Sequence, residues 1–255
     1  MLKIASWNVN SINVRLDAVL DWFDTSDTDI LALQETKVPD ERFPEAVFLE
    51  QGYHIAFSGQ KTYNGVAIIS RMPVEDVVMD IPGYADPQRR VLAATIAGVR
   101  VINLYIPNGS AVGSDKYAYK LAWLEAVTVW IKAELMRYPN LVVLGDFNIA
   151  PEDKDVHDPA HWAGSVLVSP AERAAYQALL ALGLEDSFRL FEQPDNTFSW
   201  WDYRAAGFRR NRGLRIDLVL LSEALKSACI QSEIDVEPRR QERPSDHTPV
   251  WVKIK

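Results

Sequence analysis

Cysteine is almost absent from this chain of 255 residues, which has only Cys229. A single thiol cannot close an internal disulfide, so the sequence excludes a disulfide-stabilised scaffold. Cys229 lies in a stretch that alternates apolar and polar residues, and we expect it to be a small buried side chain. Histidine is also scarce, and of the four copies only His247 stands among polar residues at a predicted strand boundary.

Long apolar runs are missing as well. No stretch approaches the roughly 20 apolar residues that a membrane-spanning helix needs, and the N-terminus shows a strand pattern from Leu2 to Val9 instead of an apolar signal core. We therefore expect a cytoplasmic protein with no membrane partner. Fixed-period repeats, low-complexity stretches and Gly/Ser linkers are lacking too, so residues 1–255 are predicted to form a single domain, and a monomer is expected.

A basic excess is the third feature that the chain lacks. The net charge of −8 argues at first against an anionic partner. The distribution of charge points the other way, because arginines fall in two short segments: Arg204, Arg209, Arg210, Arg212 and Arg215, then Arg239, Arg240 and Arg243. Such clusters either hold phosphates or lie on solvated faces, so whole-chain charge is a poor guide to the charge at a site.

The chain is rich in short apolar runs, which are typical of strands buried on both faces. Strands are predicted over Lys3–Val9, Ile30–Leu33, His54–Phe57, Asn64–Ile69, Val91–Ala97, Val99–Leu104, Leu141–Leu144, Leu214–Leu221, Ile230–Val236 and Val250–Ile254. Apolar residues at helical spacing predict helices from Leu16 to Phe23 and from Leu121 to Leu135, and a third begins near Ser169 as N-cap, with Pro170 in its first turn. Many strands with few helices predict an α/β (α+β) fold in which two sheets pack on each other and helices cover their outer faces.

Acidic residues recur at the ends of these runs. Glu35 and Asp146 directly follow apolar runs, Asp217 precedes one, and Asp246 and His247 stand just before the last one. An unpaired ionised carboxylate is costly to bury, so we expect each acid at a sheet edge where another group compensates its charge. Held together, these side chains would suit a divalent metal ion and an attacking water. The sequence therefore predicts a metal-dependent hydrolase.

Amides and a phenol occur at the same strand ends, namely Asn8, Asn10, Tyr105, Asn108 and Asn148. Asn8 and Asn10 are expected on one strand face, where they could bind a substrate or the catalytic acids. Each feature alone has an ordinary explanation, because Asp and Asn favour turns and Glu35 could simply pair with Lys37. The joint occurrence of all these groups at strand ends favours a functional site.

Aromatic residues concentrate between Phe198 and Arg204, where four of them accompany an arginine. Aromatic rings can stack on bases and sugars while arginines hold phosphates, so this segment is a candidate nucleic-acid contact. About half of these rings are expected simply to belong to the core.

Several motifs together resemble a known family. They are Trp-Asn-Val-Asn (7–10), Leu-Gln-Glu-Thr-Lys (33–37), Gly-Gln-Lys (59–61), Gln-Arg-Arg (88–90), Gly-Asp-Phe-Asn-Ile (145–149), Phe-Ser-Trp-Trp-Asp-Tyr-Arg (198–204), Gly-Leu-Arg-Ile-Asp (213–217) and Pro-Ser-Asp-His (244–247). In this order they resemble the exonuclease III branch of the endonuclease/exonuclease/phosphatase superfamily. The resemblance implies a four-layer αββα sandwich, in which two packed, mixed, mostly antiparallel sheets are flanked by helices and the site lies at one end.

The resemblance also implies a role for each matching residue. Asp146 would deprotonate the attacking water with help from Asn148, and Asp217 would orient His247 toward the scissile phosphate. Mg²⁺, with Mn²⁺ as a possible substitute, would be held among Asn8, Glu35, Asp146, Asn148, Asp246 and His247. Tyr105 would act on the phosphate or the leaving group. The residues that would bind substrate are Asn108, Lys120, Trp200, Arg204, Leu214 and Ile216, of which Trp200, Leu214 and Ile216 match a pocket for an extruded abasic sugar.

The implied function is that of a Mg²⁺-dependent DNA-repair phosphodiesterase acting on double-stranded DNA with abasic sites or 3′ ends. Its activities would be 3′→5′ exonuclease, 3′-end processing and abasic-site (AP) endonuclease. The departure from the family pattern that bears on activity is Leu167, which stands where a glycine or serine is expected. The alternative is therefore a 3′-end-processing exonuclease with little or no AP endonuclease activity, since Leu167 would crowd an abasic sugar.

Two further readings compete with this one. Relatives of the same fold that act on inositol phosphates, on sphingomyelin or on DNA without specificity share the Gly-Asp-x-Asn and Ser-Asp-His signatures, but not the segment from Trp200 to Asp217. A nucleic-acid-binding module without catalysis would use the arginines and aromatics but would leave Glu35, Asp146 and His247 unexplained. Chelation by EDTA separates the two classes, because a binding module retains DNA whereas metal-dependent cleavage stops.

Overall fold

The computed structural model describes residues 1–255 and contains six α-helices and fourteen strands. The helices are α1 (Ile12–Thr25), α2 (Glu45–Glu50), α3 (Asp115–Arg137), α4 (Pro159–Trp162), α5 (Pro170–Leu180) and α6 (Glu223–Ala228). The strands are β1 (Leu2–Asn8), β2 (Ile30–Gln34), β3 (His54–Ser58), β4 (Val66–Ser70), β5 (Glu75–Met79), β6 (Val91–Ile96), β7 (Val99–Tyr105), β8 (Leu141–Asp146), β9 (Leu184–Asp186), β10 (Trp200–Trp201), β11 (Gly213–Leu214), β12 (Asp217–Ser222), β13 (Cys229–Ile234) and β14 (Val250–Ile254).

The strands form two six-stranded sheets and a short ribbon of β10 and β11. One sheet has the order β13-β14-β1-β2-β4-β3 and the other the order β5-β6-β7-β8-β12-β9. In each sheet a single pair is parallel, β1 with β2 and β7 with β8, while the other neighbours are antiparallel. The predicted mixed, mostly antiparallel architecture is therefore confirmed.

Three apolar clusters hold four layers together. Ile68 and Val101 belong to the cluster between the two sheets. Trp123 of α3 and Tyr176 of α5 cover the outer face of the second sheet, and Phe23 of α1 packs on the outer face of the first. Both faces of each sheet are thus buried, which explains the uninterrupted apolar runs of the central strands. Each fully buried side chain of this kind stabilises the fold by about 1.5–3 kcal/mol.

The elements that sequence analysis missed are short or polar. Strand β5 is an exposed edge strand that begins with Glu75 and Asp76, and β9, β10, α2, α4 and α6 each have six residues or fewer. Such lengths are too short for a period to be recognised. No helix in the structure is both long enough and apolar enough to cross a bilayer. Cys229 is half-buried at the start of β13, so the prediction of a fully buried thiol was wrong.

The predicted strand over Leu214–Leu221 is divided into β11 and β12. Arg215 lies at the break, and its guanidinium makes buried ion pairs with Asp155 at 2.6 Å and Asp186 at 2.7 Å. Asp155 lies in a short 3₁₀ helix and Asp186 at the end of β9, and the chain leaves the strand pattern at Arg215, before Asp217. The predicted start of α5 is confirmed, because the Ser169 side chain caps the helix by accepting from the backbone N–H of Glu172.

Candidate active site

Strand register brings the acids to one end of the sandwich. Antiparallel pairing of β8 and β12 sets Asp146 opposite Asp217, and parallel pairing of β7 and β8 sets Tyr105 beside Asp146. In the other sheet, β1 ends at Asn8 next to the end of β2, which Glu35 follows directly. The site therefore lies across the contact between the two sheets.

Asn8 joins the two sheets through its amide. Its Nδ2 donates to Glu35 Oε1 at 2.9 Å and to Asp146 Oδ2 at 2.8 Å. On the other side, Lys37 Nζ lies 2.8 Å from Glu35 Oε2. Burial alone would raise the pKa of Glu35, but Lys37 and Asn8 outweigh it and hold that pKa below its usual value. Glu35 is therefore ionised, and its pairing with Lys37 coexists with a place in the site.

His247 is held by a carboxylate on one side and faces a second on the other. Its Nδ1 donates to Asp217 Oδ2 at 2.9 Å, and its Nε2 lies 3.6 Å from Asp146 Oδ2. Burial opposes the charged imidazolium, but Asp217 and then Asp146 outweigh burial and raise the pKa of His247 to about 10. His247 is therefore a cation at neutral pH.

Asp217 is itself fixed by Ser199, which sequence analysis did not identify. Ser199 Oγ donates to Asp217 Oδ2 at 2.7 Å and accepts from the backbone N–H groups of Ile216 and Asp217, both at 3.0 Å. A serine in the middle of an aromatic segment carries no sequence signal for this role, because its partner lies 18 residues away.

Asp146 has the environment of a general base. It is buried, and burial raises its pKa to about 7, although the charge of His247 opposes this rise. Its Oδ1 accepts from the backbone N–H of Asn148 at 2.9 Å. A carboxyl group that gains and loses its proton near neutral pH suits proton abstraction from a water.

Two carboxylates of the site can share a metal ion. Ligand atoms of Glu35 and Asp146 lie within 4.8 Å of each other and of a ring nitrogen of His247. The cationic His247, however, has no free lone pair with which to bind a metal, so the expectation that it is a metal ligand is not met. Carboxylate oxygens are the ligands that Mg²⁺ and related hard cations prefer, and a cation would compensate the charge of the buried Asp146. The residues therefore fit a divalent cation. Asp246 lies outside this group, because its carboxylate accepts from Asn10 and Trp200 instead, each at 3.0 Å.

The backbone around the site adopts a conformation that side chains rarely tolerate. Glu35, Lys37 and Asn148 have φ of 53°, 58° and 48°. Asn10, with φ of 45°, lies in a turn beyond β1, so the prediction that it shares a strand face with Asn8 was wrong. Each such residue costs of order 1–3 kcal/mol, and a cluster of them is typical of a functional site.

A phenol and an amide border the site. Burial, followed by the charges of Glu35 and Asp146, raises the pKa of Tyr105 well above its usual value, so its hydroxyl remains a proton donor. Asn108 Nδ2 donates to Asn148 Oδ1 at 3.2 Å. Both residues line an open cavity of about 570 Å³, and Arg90 and Lys116 line it as well. A polar phosphate-bearing ligand would find donors on this wall.

Lys120 is not placed where a substrate could reach it. Its side chain is completely buried, and its ammonium group donates to the carbonyl oxygens of Asn108 and Asn148 and pairs with Glu172. The sequence expectation of a substrate contact is therefore not met, and Lys120 lies behind the site.

The residues expected to form an apolar sugar pocket are together but closed to solvent. Leu214 and Ile216 are 0% and 1% exposed and pack with Ala150, Val156 and Val168, while Trp200 covers them as a half-buried ring.

The arginines of the two clusters serve different purposes. Arg215 and Arg239 are buried, and Arg239 lies over the rings of Trp201 and Phe208 at 5.9 and 4.9 Å. The remaining six are exposed, including Arg204, which pairs with Asp202. Most of the positive charge in these segments is thus available to an anionic partner.

Comparisons with known proteins agree with this geometry. A model of the endonuclease/exonuclease/phosphatase family matches residues 5–247. Exodeoxyribonuclease III of Haemophilus influenzae is 35% identical over the whole of both chains. Among solved structures, the 3′ phosphatase NExo from Neisseria, bound to a product DNA hairpin, superposes with a TM-score of 0.99 at 47% identity, and an AP endonuclease from Archaeoglobus fulgidus with a TM-score of 0.95 at 40% identity, each with full coverage of both chains.

Proposed function

The chain belongs to the endonuclease/exonuclease/phosphatase family and is a phosphodiester-hydrolysing nuclease of the exodeoxyribonuclease III and AP endonuclease type, and from this premise we propose that it processes the 3′ ends of double-stranded DNA with Mg²⁺. It would remove 3′-phosphates and 3′-terminal nucleotides. The observation that carries the proposal is the pairing of a buried carboxyl group, Asp146, with a cationic His247 at one end of the sandwich. Incision at abasic sites is the second activity that the family relatives suggest.

The chemistry follows from the charges of the site. Asp146 accepts a proton from the attacking water, while His247, held by Asp217, places a positive charge on the phosphate oxygens where negative charge develops. Glu35 and Asp146 would hold the divalent ion, and Asn8 would orient both carboxylates through its amide N–H groups. When bound, this ion supplies Lewis-acid stabilisation of the phosphate. Tyr105 remains protonated and is the donor available to the phosphate or the leaving oxygen.

The burial of Leu214 and Ile216 favours activity at 3′ ends over activity at abasic sites. Leu214 and Ile216 would have to be uncovered before a flipped sugar could contact them, because their side chains are buried. A 3′-phosphate needs no such pocket. An abasic nucleotide is nevertheless cheap to flip, since no base has to be unstacked. We therefore infer that 3′-end processing is the stronger activity and AP incision the weaker one.

Three labelled duplexes test this function directly. One carries a 3′-phosphate, one a recessed 3′-hydroxyl end and one an internal abasic analogue, each incubated with purified protein and Mg²⁺. Faster reaction at the 3′ ends supports the proposal. Incision 5′ to the abasic analogue at an equal or greater rate would make the protein primarily an AP endonuclease.

Removal of divalent cations is expected to abolish cleavage but not DNA binding. Excess EDTA should lower the rate on the 3′-phosphate duplex to background, since the two carboxylates then lack the cation that they fit. The exposed arginines would still contact the DNA backbone. Gel-shift and cleavage assays on the same samples check both expectations. Cleavage that persists in EDTA would contradict the metal dependence.

Substitution of Leu167 is expected to change the balance of activities. Leu167 is buried with φ of 76°, a conformation that favours glycine. Leu167→Gly removes the bulk that would crowd an abasic sugar, and we expect a rise of about tenfold in abasic incision, which corresponds to about 1.4 kcal/mol. Removal of the 3′-phosphate by the same variant is the internal control and should change little. Equal abasic incision by the two proteins would remove Leu167 as the determinant.

A further inference from the structure

A buried ion pair outside the catalytic group connects three segments around the site. Lys120 of α3 and Glu172 of α5 are both 0% exposed and pair with each other. Burial lowers the pKa of Lys120, and the Glu172 carboxylate opposes that fall. A pair of this kind adds little stability over apolar side chains of the same shape, so its presence calls for another reason.

The ammonium group of Lys120 donates its other two hydrogen bonds to backbone carbonyl groups of the site. Lys120 Nζ donates to the carbonyl of Asn108 at 3.1 Å and to that of Asn148 at 2.6 Å. The side chains of these two asparagines contact each other, and Asn148 Nδ2 also donates to the carbonyl of Ile106 at 2.9 Å. Asn148 has a positive φ, and its backbone N–H donates to Asp146. The hydrogen bond from Lys120 to its carbonyl group stabilises this uncommon backbone conformation.

The carboxylate holds the neighbouring turn in the same way. Glu172 Oε1 accepts from the backbone N–H of Leu167 at 3.0 Å, and its Oε2 accepts from the N–H and Oγ of Ser169 at 3.2 and 2.6 Å. The carbonyl of Leu167 in turn accepts from the N–H of Ala150 at 2.8 Å, two residues after Asn148. The turn with Leu167 and the loop after β8 are therefore tied to one charge pair.

We propose that Lys120 and Glu172 are positioning residues that fix Asn108, Asn148 and the turn at Leu167 as one unit. The pair touches no reacting atom. It sets the distance between the asparagines beside Asp146 and the turn at Leu167, so that both depend on the same contacts. This inference rests on the proposed 3′-end processing.

Replacement of both charges together tests the proposal without leaving a lone buried ion. In Lys120→Met/Glu172→Met, we expect kcat for the 3′-phosphate duplex to fall about 50-fold or more, because misplacement of a catalytic group by about 1 Å costs of order 100-fold. KM should stay within about threefold, since the exposed arginines that attract DNA are unchanged. Hydrogen–deuterium exchange should become faster at residues 106–110 and 147–150.

A matched control lies on the same helix. Glu134 of α3 pairs with Arg100 at 2.7 Å, and these side chains are 4% and 1% exposed. Arg100→Met/Glu134→Met removes a second buried ion pair from the same helix, and kcat and the exchange of the two loops should stay near the wild-type values. Equal kcat in the two double variants, at a temperature where both are folded, would overturn the positioning role.

A milder variant covers the case in which the double substitution does not fold. Lys120→Gln/Glu172→Gln removes both charges but keeps side chains that can form hydrogen bonds, and it should show the same pattern of lower kcat and faster exchange. Unchanged exchange in both loops would overturn the proposal. A wild-type protein inactive on all three duplexes would instead refute the proposed function, and the exchange measurement would still decide whether the pair fixes the loops.

Discussion

Asp146→Asn is expected to lower the rate of 3′-phosphate removal by roughly a thousandfold, because a positioned general base contributes about 10²–10⁴ to the rate. Asparagine keeps the size of the side chain but cannot accept the proton of the attacking water. The substitution also removes a buried negative charge 3.6 Å from His247 Nε2, which weakens the electrostatic stabilisation of the imidazolium. Single-turnover kinetics at saturating enzyme measures the chemical step directly.

Two comparisons make this result specific. Asp17→Asn removes an exposed acid from α1 and should leave the rate unchanged. In the wild type, the rate should fall as pH drops below the pKa of Asp146, which is about 7 in the metal-free protein, because protonation of Asp146 removes the base. A bound divalent cation would move this fall to lower pH, since it favours the ionised carboxylate. A loss of less than tenfold in Asp146→Asn would assign proton abstraction to another group.

His247→Gln should cause a second loss of comparable size. Glutamine can donate a hydrogen bond to phosphate but brings no positive charge, so stabilisation of the transition state is lost, and removal of one such donor costs about 10²–10³ in rate. Asp217→Asn should cause part of the same loss, because it leaves His247 without the carboxylate that holds its Nδ1. If Asp217 acts only by holding the charged His247, the rate of Asp217→Asn/His247→Gln should be close to the rate of His247→Gln alone.

The same residue predicts how stability depends on pH. The pKa of His247 in the folded protein, about 10, lies above its unfolded value near 6.5. Its contribution to stability is therefore fully present below about pH 6.5 and is lost as pH rises toward 10. Thermal unfolding of wild type and His247→Gln in EDTA should show the largest difference near pH 6 and a shrinking one above pH 7. A difference that does not change with pH would contradict the raised pKa.

Sequence reasoning located the acids of the site because they terminate apolar runs. A run that ends in a carboxylate, as at Asp146, shows where a buried strand reaches the sheet edge, and register then places Asp217 and Tyr105 beside it. The layered architecture could be predicted for the same reason. Strands in which every residue is apolar need other elements packed on both faces of their sheet.

Contacts between distant segments could not be predicted in this way. Ser199 is one serine among many until the fold brings it to Asp217, and Lys120 carries the same charge as a surface lysine until α5 covers it. The break at Arg215 was hidden because an arginine inside an apolar run looks like an ordinary outward-facing strand residue. Its buried partners, Asp155 and Asp186, lie 60 and 29 residues away.

The placement of the site across the two sheets has a consequence for how the protein acquires activity. Asn8 ends β1 of the first sheet, and His247 lies just before β14, which inserts between β1 and β13, whereas Asp146 and Asp217 come from the second sheet. A chain in which only the central segments have folded holds two acids but neither the bridging amide nor the cation. The complete set of groups therefore forms only when β1 and the segment that precedes β14 have joined the second sheet.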